Sequence, residues 1–369
     1  VSSSEEDLAK AKAGYDDKCA NCHGAEGRGN GPSAPTLADD FDRRIWPANL
    51  TRADNFRGGS AADDIYRTIR TGLRGTPMAS FAKNFSEDET WHLAHWILSL
   101  QSPAPKEVDP LIRGTRIDGP LPDSWEDPKW DEARESSFAL IGQVIKGERN
   151  FNPAIDRISV RALWNGSDVA LRLSWDDLTE SLPGEVKLDT RQPSEPLPVY
   201  RDAFAVQLSI EIPASAGAPK PYFLMGDAKR AANLWSWDKE TGGWIVERAN
   251  GFDARVPQAG SGLQGSVTYH AGQYRGVVRR ALKNDQAGNV QVVPESFVPI
   301  AFFAWDGHNG ERGTRCSVSS WYSLYLEEPV PLSRRVGIPL VVVLGAAAAE
   351  AGILVAARRS RWYRNYEAG

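Results

Sequence analysis

The sequence predicts a multidomain chain: an all-α domain, then a β-sandwich, then a single C-terminal transmembrane helix. Three observations predict it. Residues 1 to about 102 carry apolar residues at helical spacing. From about Leu121 to Pro331 the pattern changes to short alternating runs separated by turns. From Val336 to Ala357 the chain is apolar apart from Glu350. The expected boundaries are 1–102 for the helical domain, 103–120 for a linker, 121–331 for the sandwich, 336–357 for the membrane helix and 358–369 for a tail. A length of 369 residues leaves room for two domains and such appendages.

In the first part, Leu8 to Lys18, Ala61 to Gly72 and Glu87 to Leu100 read as helices, the last with Ser86 as N-cap and with Trp91, Ala94, His95 and Leu98 on one face. A Gly/Pro-rich stretch, Gly24 to Pro35, lies between them. Ser102 to Pro122 is rich in Pro and Gly without apolar period and reads as a linker. In the second part, Arg157 to Leu163 and Val169 to Trp175 flank Asn165-Gly166, a strong hairpin signal. Ala203 to Ile212, Tyr222 to Met225, Trp244 to Arg248, Tyr274 to Ala281, Phe297 to Trp305 and Ser317 to Leu326 read as further strands. Many short strands between turns predict a sandwich.

The apolar segment is roughly 33 Å long as a helix, enough to cross a bilayer core. Arg334 and Arg335 precede it; Arg358, Arg359, Arg361 and Arg364 follow, with Trp362 and Tyr363 as interfacial anchors. The larger positive cluster is C-terminal, so the tail is expected to be cytoplasmic and the two domains outside. Glu350 costs a few kcal/mol at that depth unless paired or protonated. The competing reading is a buried amphipathic core helix.

The net charge of −5 argues against a nucleic-acid partner, which requires a basic face. With Val1 first, an initiator and any signal peptide are expected to lie outside this sequence. Three cysteines, two of them in one pentapeptide, leave Cys316 alone and exclude an intramolecular disulfide framework. The only methionines are Met78 and Met225.

Cys19-Ala20-Asn21-Cys22-His23 is a haem-attachment signature. Two thiols add to the two vinyl groups of one porphyrin, and the adjacent His is brought under the iron. A redox dithiol and half a zinc site are the competing readings; zinc needs a second pair of ligands, which no nearby cysteine supplies. The surroundings resemble class I cytochromes c: Ala11 and Tyr15 precede the motif, Trp96 lies on the last helix, and Gly72-Leu73-Arg74-Gly75-Thr76-Pro77-Met78-Ala79-Ser80-Phe81 resembles the loop that carries the family's distal Met. The resemblance spans residues 8 to 100. It implies one covalent haem c with His23 and Met78 on the iron, a pairing that raises the potential relative to two histidines. His92 and His95 compete for the sixth position. Pro32 is expected to offer its carbonyl to the other nitrogen of His23.

The β-rich region has its own ordered blocks: Asp127-Pro128-Lys129-Trp130, Gln143, Arg161 to Gly166, Leu173 to Asp177, Phe223 to Asp227, Leu234 to Asp238, Ala304 to Gly307 and Ser319 to Tyr322. In this order they resemble the haem-binding gamma subunit of ethylbenzene dehydrogenase and similar subunits of selenate and chlorate reductases, dimethylsulfide dehydrogenase and nitrite oxidoreductases. The resemblance covers roughly residues 121 to 327. It implies a sandwich holding one haem b between Met and Lys, and as partners a molybdenum-cofactor catalytic subunit and an iron–sulfur subunit. Met225 falls in the block of the family's Met; a buried core Met is the alternative. Cys316 stands where the Lys is expected. Three readings stay open: Cys316 binds iron as a thiolate, His308 reaches in from its loop, or the haem is altered or lost and Cys316 is a buried structural thiol. The tryptophans of this domain, Trp164, Trp175, Trp235, Trp237, Trp305 and Trp321, are expected mostly in the core.

No nucleophile–base pair, phosphate loop or metal cluster beyond the haem ligands stands out, so any substrate catalysis is expected in a complex. The expectation is a single-pass subunit of a bacterial inner membrane, with its haem domains in the periplasm. It would pass electrons between a b-haem and a c-haem within a molybdenum oxidoreductase of the DMSO-reductase family, and exchange them with another cytochrome or a quinol-linked complex. The rival is a monohaem cytochrome whose sandwich is a docking or carbohydrate-binding module.

Overall fold

The structure is a computed structural model that describes residues 3–43, 45–101, 109–188, 196–215, 218–286, 288–329 and 337–366. It comprises two units, Val1–Leu326 and Glu327–Gly369.

The first unit begins with helices α1 (Glu5–Lys18), α2 (Ala20–His23), α3 (Ala62–Thr71) and α4 (Glu87–Leu100). Ser4 and Ser86 start α1 and α4 with reciprocal capping boxes, closed by Asp7 and Glu89. Each such cap contributes about 1 kcal/mol. α1 meets α4 at Tyr15 and Trp96, whose ring centroids are 4.4 Å apart. Ile65 and Ile69 of α3 complete this core with Leu93, Ala94 and Ile97 of α4. Of the four residues expected to share a face of α4, Ala94 lies in this core and Leu98 packs against it. Trp91 instead stacks on Tyr66 at 4.4 Å, and His95 is only partly buried. Helix α2, a single turn inside the haem-attachment signature, was not among the expected elements.

The larger part of this unit is a sheet domain. Its strands are β1 (Leu111–Arg116), β2 (Ser136–Ala139), β3 (Ile141–Gly142), β4 (Arg157–Trp164), β5 (Asp168–Asp176), β6 (Val186–Leu188), β7 (Pro196–Pro198), β8 (Ala203–Ser209), β9 (Ala232–Asp238), β10 (Trp244–Ala249), β11 (Arg255–Pro257), β12 (Gln264–His270), β13 (Gln273–Ala281), β14 (Val298–Trp305), β15 (Ser317–Val318) and β16 (Tyr322–Leu326). All except the β6–β7 pair join one sheet, whose main path runs β11-β10-β9-β8-β14-β16-β1-β4-β5-β13-β12. Trp175 of β5 stacks on Phe204 of β8 at 4.3 Å, although four strands separate them along that path. The sheet thus folds over on itself into facing layers, with Trp164, Trp175, Trp235 and Phe302 in the core between them.

Strand β1 corrects the expected linker: residues 111–116 pair in parallel with both β16 and β4. Its signal is weak because one inward position is Gly114, where a Cβ would meet the Leu326 side chain at 2.4 Å. A strand whose buried face includes a glycine shows no apolar alternation. Tyr222 to Met225 forms turns, not a strand, and the run from Ser317 is broken at Ser319–Trp321. Every position of β14 is buried. Ile300, Phe302 and Ala304 face the inter-layer core, whereas Phe303 and Trp305 face outward into a second cluster.

The second unit is α5 (Ile338–Tyr366). Its stretch Pro339–Arg359 has mean hydropathy 2.3 and buries none of its apolar window. By length and composition this helix can cross a bilayer. Arg334, Arg335 and Val336, residues 102–108 of the expected linker, and 367–369 of the expected tail lie outside the described residues.

Candidate cofactor sites

The first site grows from the turn that links α1 to α2. Cys19 closes α1 and opens α2, and the His23 amide donates to the Cys19 carbonyl at 2.9 Å. The chain then folds back, with Gly29 N–H on the His23 carbonyl at 2.7 Å and Gly31 N–H on that of Cys22 at 3.0 Å. At Gly31 a Cβ would stand 2.4 Å from the Asn21 carbonyl oxygen, so only glycine permits this approach. The Tyr15 hydroxyl donates to the Gly24 carbonyl at 2.6 Å and ties the loop to the helical core.

His23 Nδ1 lies 3.1 Å from the Ala48 carbonyl oxygen. This corrects the expected role of Pro32: the fold-back after Gly29 carries Pro32 past the cysteines, and the segment Pro47–Leu50 supplies the carbonyl. Burial, partly opposed by this hydrogen bond, holds His23 below the ordinary imidazole range. A neutral ring whose Nδ1–H is so engaged presents Nε2 as the donor for a metal. Burial first, then the charges of Cys22 and Asp17, push the Cys19 thiol up to about 12. That is the opposite of a reactive redox dithiol, whose attacking thiol is lowered.

Met78 is positioned by its own loop. Gly72 ends α3 at φ +70°, and Leu73 N–H donates to the Met78 carbonyl at 2.9 Å. The Thr76 hydroxyl accepts from Met78 N–H at 3.2 Å and donates to the Leu73 carbonyl at 2.8 Å. Cys19, Cys22, His23 and Met78 all line one cavity of about 410 Å³, within the size range of cofactor sites. A thioether sulfur, an imidazole and the two thiols of the attachment signature in one cavity fit a covalently held haem. His92 and His95 do not line it; both Nδ1 atoms are 2.7 Å from the Ser3 hydroxyl.

Asp156, Asp176 and Asp306 of the sheet domain also line this cavity. The junction is built from polar contacts. Asp176 accepts from Arg28 at 3.2 Å and Asn49 at 2.9 Å, and Arg52 donates to Asp156 at 2.7 Å. Arg157 pairs with Asp54, and His270 Nε2 lies 2.8 Å from Glu26. Trp46 meets the His308 ring edge-on at 6.3 Å. None of these cross-domain pairs was evident in the sequence, since the partners are up to 244 residues apart and carry no common motif.

The second site is the outward cluster on β8, β9 and β14. Met225 and Cys316, both 0% exposed, belong to it together with Leu234, Phe303 and Trp305. Met225 holds a left-handed backbone, φ +63°, unusual for an unbranched side chain. The side chain of buried Gln207 secures it, accepting Met225 N–H at 2.8 Å and donating to the Phe223 carbonyl at 3.2 Å. Burial, with the Glu311 charge, raises the Cys316 thiol well above its ordinary range. A cavity of about 600 Å³ adjoins the cluster and shares Ala205, Phe252 and Trp305 with it, although neither sulfur-bearing residue lines it. His308 is not part of the cluster and meets the helical domain instead.

Helical haem-attachment domain, sheet domain and apolar helix together define a haem protein with one candidate membrane span. Residues 8–101 match the family model described as Cytochrome c, and residues 127–260 match that described as Ethylbenzene dehydrogenase. The chain therefore carries a cytochrome c domain, which implies a covalent haem c, followed by an ethylbenzene dehydrogenase gamma-like domain. It is 28% identical over 171 residues to a putative respiratory nitrate reductase haem subunit of Haloferax mediterranei, covering 46% of this chain and 55% of that one. It is 27% identical over 174 residues to the chlorate reductase gamma subunit of Ideonella dechloratans, covering 46% and 65%. It is also 33% identical over 109 residues to the cbb3-type cytochrome c oxidase subunit CcoP of an Azospirillum species, covering 26% and 32%. The chain thus spans from a third to under two thirds of the length of these relatives.

Proposed function

We propose that this chain is a membrane-anchored electron-transfer subunit that relays electrons between a b-type haem in the sheet domain and the c-type haem of the helical domain. In this reading Cys19 and Cys22 hold the haem c, and His23 and Met78 are its axial ligands. Met225 and Cys316 are the ligands of the second haem. When bound, the two haems supply one-electron iron couples; the protein residues hold them, keep water out and set their potentials. The observation that carries the reading is the shared wall of the first cavity. Cys19, Cys22, His23 and Met78 line it together with Asp156, Asp176 and Asp306 of the other domain. A haem there would lie against the sheet domain. Support for the second haem comes from the two buried sulfur residues in one cluster and from the constrained backbone of Met225.

As partners we propose a molybdenum-cofactor subunit of the DMSO-reductase family and an iron–sulfur subunit, consistent with the reductase relatives. A further cytochrome or a quinol-linked complex would exchange electrons with this chain. The helix α5 is proposed as a single-pass anchor in a bacterial inner membrane, with both haem domains periplasmic and the C-terminal end cytoplasmic, by the charge bias around it. The test is purification from native membranes without disrupting the complex, with subunits identified and metals counted. Molybdenum and iron–sulfur clusters co-purifying in fixed ratio to this chain are the expected result; a chain that purifies alone, with haem as its sole iron, would remove the partner assignment.

A further inference from the structure

A concentration of buried acid lies beside the first cavity; of its three members only Asp306 also lines that cavity, and none is a candidate haem ligand. Asp177, just after β5, Asp202, just before β8, and Asp306, just after β14, bring carboxyl oxygens within 4.8 Å of one another. None of the three is more than 2% exposed. Asp202 is well supplied with donors: Ser181 N–H at 2.6 Å and the Tyr274 hydroxyl at 2.7 Å on Oδ2, and Gly307 N–H at 2.8 Å on Oδ1. Asp177 is not. Its Oδ1 accepts from Thr179 N–H at 3.1 Å, while its Oδ2 is fully buried and has no hydrogen-bond partner. A carboxylate oxygen withdrawn from water without a donor is strongly unfavourable. Here its neighbours are further carboxylates: burial, then the charges of Asp306 and Asp202, hold Asp177 well above the ordinary carboxyl range.

We propose that Asp177, Asp202 and Asp306 bind one calcium ion. The donors are hard oxygens only, with no His or Cys, which favours calcium or magnesium over transition metals. Two oxygens on opposite sides of a calcium ion stand about 4.8 Å apart, and its geometry is flexible; magnesium needs a tighter octahedron and keeps several waters, for which this buried site is a poor host. The ion would join three strand ends. One of them continues from Asp176, the residue that receives Arg28 and Asn49 of the cytochrome domain. Calcium would therefore hold the edge of the sheet domain on which the cytochrome domain sits.

The test uses the full haem-loaded chain, stripped with chelator and titrated with calcium chloride. The expected result is one calcium retained per covalent haem after desalting, and a melting temperature that climbs with the logarithm of calcium concentration. Magnesium at the same concentrations should have little effect. Asp177→Asn, which keeps the shape but not the charge, should weaken calcium binding about tenfold or more while retaining the haem spectrum. Wild-type protein that neither retains calcium nor melts differently with it overturns the proposal, as does Asp177→Asn binding calcium like wild type. Magnesium binding as tightly as calcium overturns the choice of ion. If Asp177→Asn does not fold, the wild-type titration decides by itself.

Discussion

Asn49 of the cytochrome domain donates its side-chain N–H to Asp176 at the end of β5, Nδ2 to Oδ2 at 2.9 Å. Asn49 is 6% exposed, so this amide has little access to water if its partner is lost. Replacing Asp176 by Ala leaves the amide unsatisfied and removes the acceptor of Arg28. The expected cost is about 1–3 kcal/mol of stability, measured by denaturant unfolding of the haem-loaded chain. Asp176→Asn, which keeps one acceptor oxygen, should cost less. Equal stability of Asp176→Ala and wild type would mean that the junction does not depend on this bond.

A second set of junction contacts predicts acid sensitivity. Burial acts to raise the Asp54 carboxyl, but its hydrogen bond and attraction to Arg52, with the Arg157 charge, outweigh this and hold it below its ordinary value of 3.8. A carboxylate lowered on folding adds stability at pH values above its unfolded pKa, and that contribution is lost as pH falls through the folded value. Melting temperature should therefore drop between about pH 5 and pH 3, and Asp54→Asn should show a smaller drop over the same window. Asp54 is half exposed, so the effect is modest and weakens with salt. An Asp54→Asn profile parallel to wild type would exclude this pair as a source of the acid loss.

Met78→Ala should leave the haem attached, because attachment needs only Cys19 and Cys22. The weak long-wavelength charge-transfer band of a methionine–ferric iron bond should vanish, and the reduction potential should fall, since a thioether ligand raises it. Retention of the band in the variant would assign the sixth position to another group. His92 and His95, which share Ser3 as a partner, are not in the cavity that could place them there.

Met225→Leu should leave the sheet domain folded and lower its haem content, because Leu fills similar space without a soft donor. Cys316→Ser should shift the Soret maximum of the second haem if the thiolate is its other ligand. Binding must release the proton that burial holds on this thiol, so its occupancy should fall as pH falls. A Cys316→Ser spectrum identical to wild type would make this cysteine structural. The position of His308 against Trp46 argues against it as the substitute.

The candidate haem c site could be read from the sequence because its residues lie in two short segments. Cys19, Cys22 and His23 occupy five consecutive residues, and Met78 sits in a ten-residue loop whose turn is closed by bonds among Leu73, Thr76 and Met78 themselves. The hairpin at Asn165-Gly166 with β4 and β5 was legible for a similar reason, namely alternation over several residues, whereas β8 and β14 showed as short, mostly apolar runs buried almost throughout. Pro32 failed as the partner of His23 because the partner carbonyl is a backbone group, and any residue type could have supplied it; the fold brings Ala48 there. The strand β1 hid behind Gly114 and neighbouring prolines, since a position filled by the Leu326 side chain needs no side chain of its own. The buried acid triad was invisible for a different reason. Asp177, Asp202 and Asp306 each end or begin a strand in a separate part of the chain, and only the folded sheet joins them.

The central claim is that one chain holds two haems of different attachment. A haem count on the purified full chain tests it most directly, using the pyridine haemochrome spectrum before and after acid–acetone extraction. The account predicts two haems per chain, one extractable and b-type, the other retained through Cys19 and Cys22. A single covalent haem, with nothing extracted from protein whose sheet domain is folded by its near-ultraviolet signal, would contradict the relay and leave the sandwich as a docking or carbohydrate-binding module.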